Sequence, residues 1–199
     1  SELLGQDETQ QLLDKVATRY PKLVSNLVPD LLPLSTVTQV LQNLLTESVP
    51  VKDMRNIIDA LTAHAKENQD ASHLTTLVRP KLGRLIVQPL VDDGGSLTVI
   101  TLAPDLEKLL ESSRGAGNGE HITLDPTLAN SMIESLRSEA EKIQDMGQVA
   151  TLVVSPTLRS WMSRFVRVRV PDLSVLSYTE IPDDQRINVQ SSIGGEAAL

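Results

Sequence analysis

The sequence predicts an α+β protein: a helical, winged-helix-like subdomain, then an α/β subdomain with a small mixed sheet. Three observations lead there. Apolar residues recur at helical spacing through the first half of the chain. Short runs of apolar residues and threonine then alternate with helical patterns in the second half. Between the two patterns stands the turn sequence Asp92-Asp93-Gly94-Gly95. Two compact units meeting near residues 91–103 are expected from that switch of period.

The first helix is predicted from Asp7 to Arg19, with Leu12, Leu13, Val16 and Tyr20 as its stripe and Pro21 as its stop. Residues 28–33 hold Pro29 and Pro33 and are too proline-rich for a long helix. Ser35 or Thr36 is then expected to cap a helix that buries Val37, Val40, Leu41, Leu44 and Leu45. After the Val49-Pro50 turn, Asp53 caps a third helix with Met54, Ile57, Ile58, Leu61 and Ala65 inward. Ser72 opens the next helical stretch. Pro80 lies inside it, lacks an N–H and collides with the preceding turn, so a break is expected near Arg79.

Leu97 to Leu102 is predicted as a strand, and Pro104 to Ser112 as a short helix. Arg114 to Glu120 is glycine-rich and expected to be mobile. Asp125-Pro126 is a cap followed by a first-turn proline, and starts the longest helix, which ends near Gly147. Val149 to Val154 is apolar apart from Thr151, as in the centre of a sheet. Ser155-Pro156 repeats the cap signal for a helix carrying Trp161 and Phe165. Leu173 to Tyr178 is a further strand, and Ile187, Val189, Ser191 and Ile193 alternate as in a half-exposed one. Residues 194–199 are expected to be a loose tail. No internal repeat is visible.

Composition narrows the function. Among 199 residues 40% are hydrophobic but only 2% aromatic, so Leu, Val and Ile must fill the core. The absence of Cys removes disulfides and thiolate metal sites. No apolar run approaches the ~18 residues of a membrane span, and Ser1-Glu2-Leu3 does not open a signal peptide. The chain is expected to be soluble as given and, because it starts abruptly, part of something longer. A formal charge of −8 disfavours nucleic acid and anionic lipid as partners.

The search for chemistry predicts no enzyme, no metal and no cofactor. His64, His73 and His121 stand without a second ligand at metal spacing. Gly115 to Gly119 contains no Lys and follows a helix, unlike a phosphate loop. Ser155 lies between a strand and a helix but lacks the flanking glycines of a nucleophile elbow, and a capping role suffices for it. Arg159, Arg164, Arg167 and Arg169 form a basic cluster in which Arg159, Ser163 and Arg167 share a helical face. It is either a solvated surface or a contact for an acidic partner or neighbouring subunit. Residues 35–66 also fit helix, turn, helix, the pattern of a winged-helix DNA-binding module. The second helix offers Arg55 and Lys66 against Asp53, Asp59 and Glu67, which argues against DNA.

Particular strings carry a resemblance. Gly5 to Asp14 is similar to a Gly-x-x-Glu-Thr-x-x-Leu-Leu-Asp helix. Val28-Pro29-x-x-x-Pro33-Leu34, Val40-Leu41-Gln42-Asn43-Leu44-Leu45 and Val49-Pro50-Val51-x-Asp53-Met54-Arg55 follow, then Ser163-Arg164-Phe165 and Val175-Leu176-Ser177-Tyr178-x-Glu180-Ile181. Over residues 5 to about 195 the chain resembles the cytosolic domain of the FlhA family of flagellar type III export-gate proteins.

The resemblance implies a docking platform at the cytoplasmic face of the bacterial inner membrane. Its partners would be export chaperone–substrate complexes and components of the export ATPase, and the full protein would assemble as a ring. Residues 1–22 would end a first subdomain, 23–102 would form a ring-building third, and 103–199 a fourth. Thr9 would belong to a chaperone-binding dimple whose remainder is absent, so chaperone binding by this chain is expected to be poor. Export gates of virulence injectisomes are the alternative; they usually lack the Pro29/Pro33 pair and the Leu-Gln-Asn-Leu-Leu wording. Pro80 departs from the family, whose members commonly continue a helix there. The ring contacts are expected in 23–102 and to be weak, because few apolar side chains remain outside the core.

Overall fold

The computed structural model describes residues 4–114 and 121–195. Most of the glycine-rich stretch, 115–120, and the end of the tail, 196–199, lie outside the described residues. The chain divides into two compact units, Ser1–Ile86 and Val87–Leu199. The division falls ahead of the expected 91–103.

The first unit opens with α1 (Gln6–Ala17), α2 (Pro21–Ser25), α3 (Leu34–Thr46) and α4 (Met54–His64). α5 (Ala71–Val78) follows, then a 3-10 turn (Arg79–Leu82) and α6 (Gly83–Val87), whose last residue crosses the division. It contains no strand among its described residues, so the helix-turn-helix of α3 and α4 carries no wing. Leu13, Leu27, Leu32, Leu41, Leu44, Ile57, Ile58, Leu61 and Leu74 are fully enclosed in its core. Pro21 stands at the first turn of α2, where its missing N–H costs nothing. The Val28–Pro29 peptide is cis.

Two caps differ from expectation. Pro33, not Ser35 or Thr36, is the N-cap of α3. α5 starts one residue before Ser72, because the Asp70 carboxylate accepts the His73 N–H at 2.8 Å. Asp53 caps α4 as predicted, accepting the Asn56 N–H. The break at Pro80 is also present: α5 stops at Val78 and the chain tightens into the 3-10 turn.

The end of α3 is closed by Ser48 at φ 60°. Its N–H reaches Leu45 O at 3.0 Å, and the Val49 N–H reaches Leu44 O at 2.9 Å. These are the two bonds of a Schellman motif, made here without the glycine that position favours.

The second unit contains β1 (Ser96–Leu102), α7 (Pro104–Ser112), α8 (Pro126–Asp145), β2 (Thr151–Val154), α9 (Pro156–Arg167), β3 (Ser174–Ser177) and β4 (Arg186–Ile193). The strand order is β3-β2-β1-β4, and all three pairings are parallel, not mixed. Parallel pairing requires a crossover between successive strands, and α7 to α9 supply the crossovers that the alternating sequence pattern announces. β1 and β2 are the inner strands, which accounts for their runs of apolar residues and threonine. β1 therefore folds with the second unit, not with residues 23–86.

One sheet face carries Ile100, Leu102, Leu152, Val154, Val175 and Ile193, and shares a core with α7, α8 and α9. β4 does not alternate as its sequence suggests. Val99 pairs with Val189 but Ile100 with Ser191, so Gln190 is an extra residue. Such a bulge changes the face on which later side chains lie. Ile193 turns into the core, whereas Ile187 and Val189 remain about half exposed at 49% and 57%.

Candidate docking surfaces

Thr9 sits in the first turns of α1 with its side chain fully enclosed. Its hydroxyl donates to Gly5 O at 2.8 Å and lies 3.0 Å from the Thr38 hydroxyl of α3, which can donate to it. Thr38 is also 2.9 Å from Leu34 O. Glu8 steadies the same turn by accepting the Gly5 N–H at 2.8 Å. Thr9 is thus a buried polar clasp between α1 and α3. An enclosed hydroxyl with its bonds made offers nothing to a partner at the surface.

The basic cluster on α9 and just after it separates in space. Arg159 is 2% exposed, and its Nε lies 3.5 Å from Oε2 of Glu180, which is equally buried. The Glu180 carboxylate also accepts the Ser177 hydroxyl at 2.9 Å and the Ser177 N–H at 3.3 Å. Arg159 is therefore an interior ion-pair residue that anchors α9 to the end of β3, and it leaves the expected partner-contact cluster. The helical spacing that placed it on one face with Arg167 could not show which end of α9 is covered. Glu180 was missed because nothing in its local sequence marks it as buried.

Arg164, Arg167 and Arg169 remain exposed. Arg164 donates to the Ser160 hydroxyl at 3.0 Å. Arg169 lies 5.3 Å over the Phe165 ring, and Phe165 stacks on Trp161 at 4.8 Å. The two rings are half-buried against the second unit's core. Val168, between Arg167 and Arg169, is 88% exposed. The result is a short cationic ridge with an aromatic flank, a composition common in contact surfaces.

Ser155 stands at the N-cap position of α9, yet its side chain does not cap the helix. The hydroxyl donates to Oε1 of Glu111 at 2.7 Å, and Thr157 donates to the same oxygen at 2.9 Å. These two bonds, with a lesser pull from Arg114, hold the Glu111 carboxyl below its ordinary value. Burial, with the charges of Glu107 and Glu111, pushes the Tyr178 phenol up. Among the described residues no group of three or more His, Asp or Glu converges as a metal site, and no helix is long and apolar enough to cross a membrane.

The FHIPEP family profile matches residues 1–186. The chain is 43% identical over 197 residues to the flagellar biosynthesis protein FlhA of Proteus mirabilis, covering 98% of this chain and 28% of the relative. It is 40% identical over 196 residues to that of Escherichia coli K12, again 98% against 28%. The chain therefore spans little more than a quarter of the length of these relatives. Among solved structures, nonameric EPEC SctV-C superposes with a TM-score of 0.85 at 25% identity, covering 96% of this chain and 58% of that one. The Chlamydia pneumoniae CdsV and CdsO complex gives 0.85 at 26%, covering 96% and 55%. The likeness to FlhA runs almost from end to end of this sequence, and the chain belongs to the FHIPEP family of type III export-gate proteins.

Proposed function

We propose that this chain is part of a cytoplasmic docking platform of a flagellar type III protein export gate, at the cytoplasmic face of the inner membrane, and that it works by binding, without catalysis or cofactor. The observation that carries the proposal is the 43% identity to a flagellar FlhA across 98% of the chain. The injectisome alternative is weaker, because SctV-C and the CdsV and CdsO complex stand at 25% and 26%.

The platform receives export chaperone–substrate complexes and components of the export ATPase, and it self-associates into a ring through contacts within residues 23–102. Support for the ring comes from a neighbour solved as a nonamer, and support for a further partner from one solved with CdsO. The exposed cations at the end of α9 and just beyond it, Arg164, Arg167 and Arg169, suit an acidic partner. Thr9 contributes to chaperone binding indirectly, by fixing α1 against α3.

The test is a chimera. Residues 1–199 replace the matching stretch of Proteus mirabilis FlhA in a strain lacking that gene. Export of flagellar proteins into the medium is the expected result. A chimera that is expressed and inserted at wild-type level but exports nothing would defeat the reading.

A further inference from the structure

The first unit has an open groove of about 300 Å³ between the second half of α1 and the residues that lead into α4. Its floor is apolar. Leu12 and Val16 of α1 lie one turn apart, and Val51 and Met54 face them across the groove, with Tyr20 at one end. Its rim is cationic. Lys15 and Arg19 stand on the α1 side, Lys52 and Arg55 on the other, and all four are exposed. The Arg55 guanidinium is 4.7 Å above the Tyr20 ring and 3.4 Å from its hydroxyl, which fixes that end of the rim.

Charge is the informative feature. The chain as a whole has 26 acidic side chains against 18 Lys and Arg, yet this groove gathers four cations and one carboxylate. That carboxylate, Asp53, is turned to other work: one oxygen accepts the Asn56 N–H and the other the Asn56 side-chain amide. Among the described residues no acidic side chain forms an ion pair with Lys15, Arg19, Lys52 or Arg55. An apolar floor needs apolar side chains to cover it, and an unneutralised cationic rim selects for carboxylates beside them.

We propose that this groove is a docking site for an acidic amphipathic segment of a partner protein. The segment presents leucine-like side chains one helical turn apart to Leu12, Val16, Val51 and Met54. Its Asp or Glu residues meet Lys15 and Arg19 on one side and Lys52 and Arg55 on the other. The site is separate from the α9 ridge and from Thr9, both in residues and in chemistry. It deepens the docking reading, resting on it for the existence of a partner but not for the geometry.

The experiment uses the isotopically labelled chain and a short acetylated helical peptide with two leucines one turn apart among glutamates. A control peptide has lysine at every glutamate. The expected result is saturable chemical-shift change confined to the groove residues within 12–20 and 51–55 for the acidic peptide alone, weakening as salt is raised. Lys15→Glu with Lys52→Glu lowers the affinity at least about tenfold, while Lys15→Arg with Lys52→Arg keeps it. Both side chains changed are exposed, so the melting temperature stays at the wild-type value. Shifts scattered over the surface, equal binding of the two peptides, or unchanged affinity of the charge-reversed variant would each overturn the proposal. So would concentration-dependent self-association that shifts the same residues, since the occupant would then be a second copy of the chain. None of these outcomes bears on the chimera, which reads export and not this groove.

Discussion

The two units handle positive charge in opposite ways. In the second, four arginines crowded between residues 159 and 169 part company: Arg159 turns inward to Glu180 and the rest stay outside. In the first, Lys15 and Arg19 come from the end of α1 and the residues after it, Lys52 and Arg55 from the start of α4 and the residues before it, and the fold brings them to one groove. Proximity in sequence is thus a poor guide to a charged surface. A run of cations on a helix is divided by whichever face the core claims, whereas a patch that survives folding can be assembled from distant segments.

Buried arginine provides the strongest way to sharpen the contrast. Each unit encloses one with a glutamate: Arg79 with Glu47 at 3.0 Å in the first, Arg159 with Glu180 at 3.5 Å in the second. Glu47 is 16% exposed and Glu180 only 1%. Removing the cation strands the carboxylate, and the penalty grows as water is excluded from it. Arg159→Ala is expected to cost about 3–5 kcal/mol. Arg79→Ala is expected to cost less, about 2–3 kcal/mol, because water can reach Glu47. Chemical denaturation of the two variants checks the order. Equal losses would mean that the lost packing outweighs the stranded charge.

The helix ends form the next pair. α3 and α8 both close with Schellman bonds, the first at Ser48 with φ 60° and the second at Gly147 with φ 73°. A side chain in this left-handed conformation is strained, and glycine is not. Ser48→Gly should stabilise the chain by about 0.5 kcal/mol, the relief being partly offset by the larger unfolded-state entropy of glycine. A Cβ at Gly147 meets no atom within 4 Å, so Gly147→Ala isolates the backbone term and should destabilise by about 1 kcal/mol. Thermal melts decide both, and a destabilising Ser48→Gly would show that the Ser48 side chain makes a compensating contact.

The same residues show what the sequence could reveal. Asp53 and Asp125 were legible as caps because capping is local chemistry, and Pro80 as a break because the missing N–H acts within one turn. The strands were legible as elements, since a short apolar run is a local signal. Their parallel arrangement was not, because pairing is decided between segments far apart. The bulge at Gln190 depends on the register of β4 with β1, and so the exposure of Ile187 and Val189 escaped a reading based on alternation. Thr9 was placed by family resemblance, but its bond to Thr38 joins helices whose separation in sequence carries no pattern. The basic groove was invisible for the same reason.

A smaller effect is expected where cations rest on rings. Arg55 over Tyr20 in the first unit and Arg169 over Phe165 in the second lie at 4.7 and 5.3 Å. Tyr20 is 38% exposed, whereas Phe165 also stacks on Trp161 and packs against the core. Tyr20→Leu keeps apolar bulk and removes the π face, so it should cost about 0.5–1 kcal/mol. A double-mutant cycle with Arg55→Ala isolates the pair, and a coupling of zero would mean that the ring and the guanidinium are neighbours without attraction.

The smallest expected effect belongs to Arg167, on the exposed end of α9. It has no described carboxylate partner, its neighbour Val168 is 88% exposed, and it stands in the last turn of the helix. A cation there gains a little from the helix dipole and little else. Arg167→Ala should therefore change stability by no more than about 0.5 kcal/mol. That near-silence gives the variant its value. Arg159→Ala would weaken any function by unfolding the unit, and so cannot separate a docking role from a structural one. Arg167→Ala leaves the fold intact, so a loss of export in the chimera at an unchanged melting temperature would assign the exposed ridge to a partner. Export unchanged at wild-type level would instead make the ridge a solvated helix face.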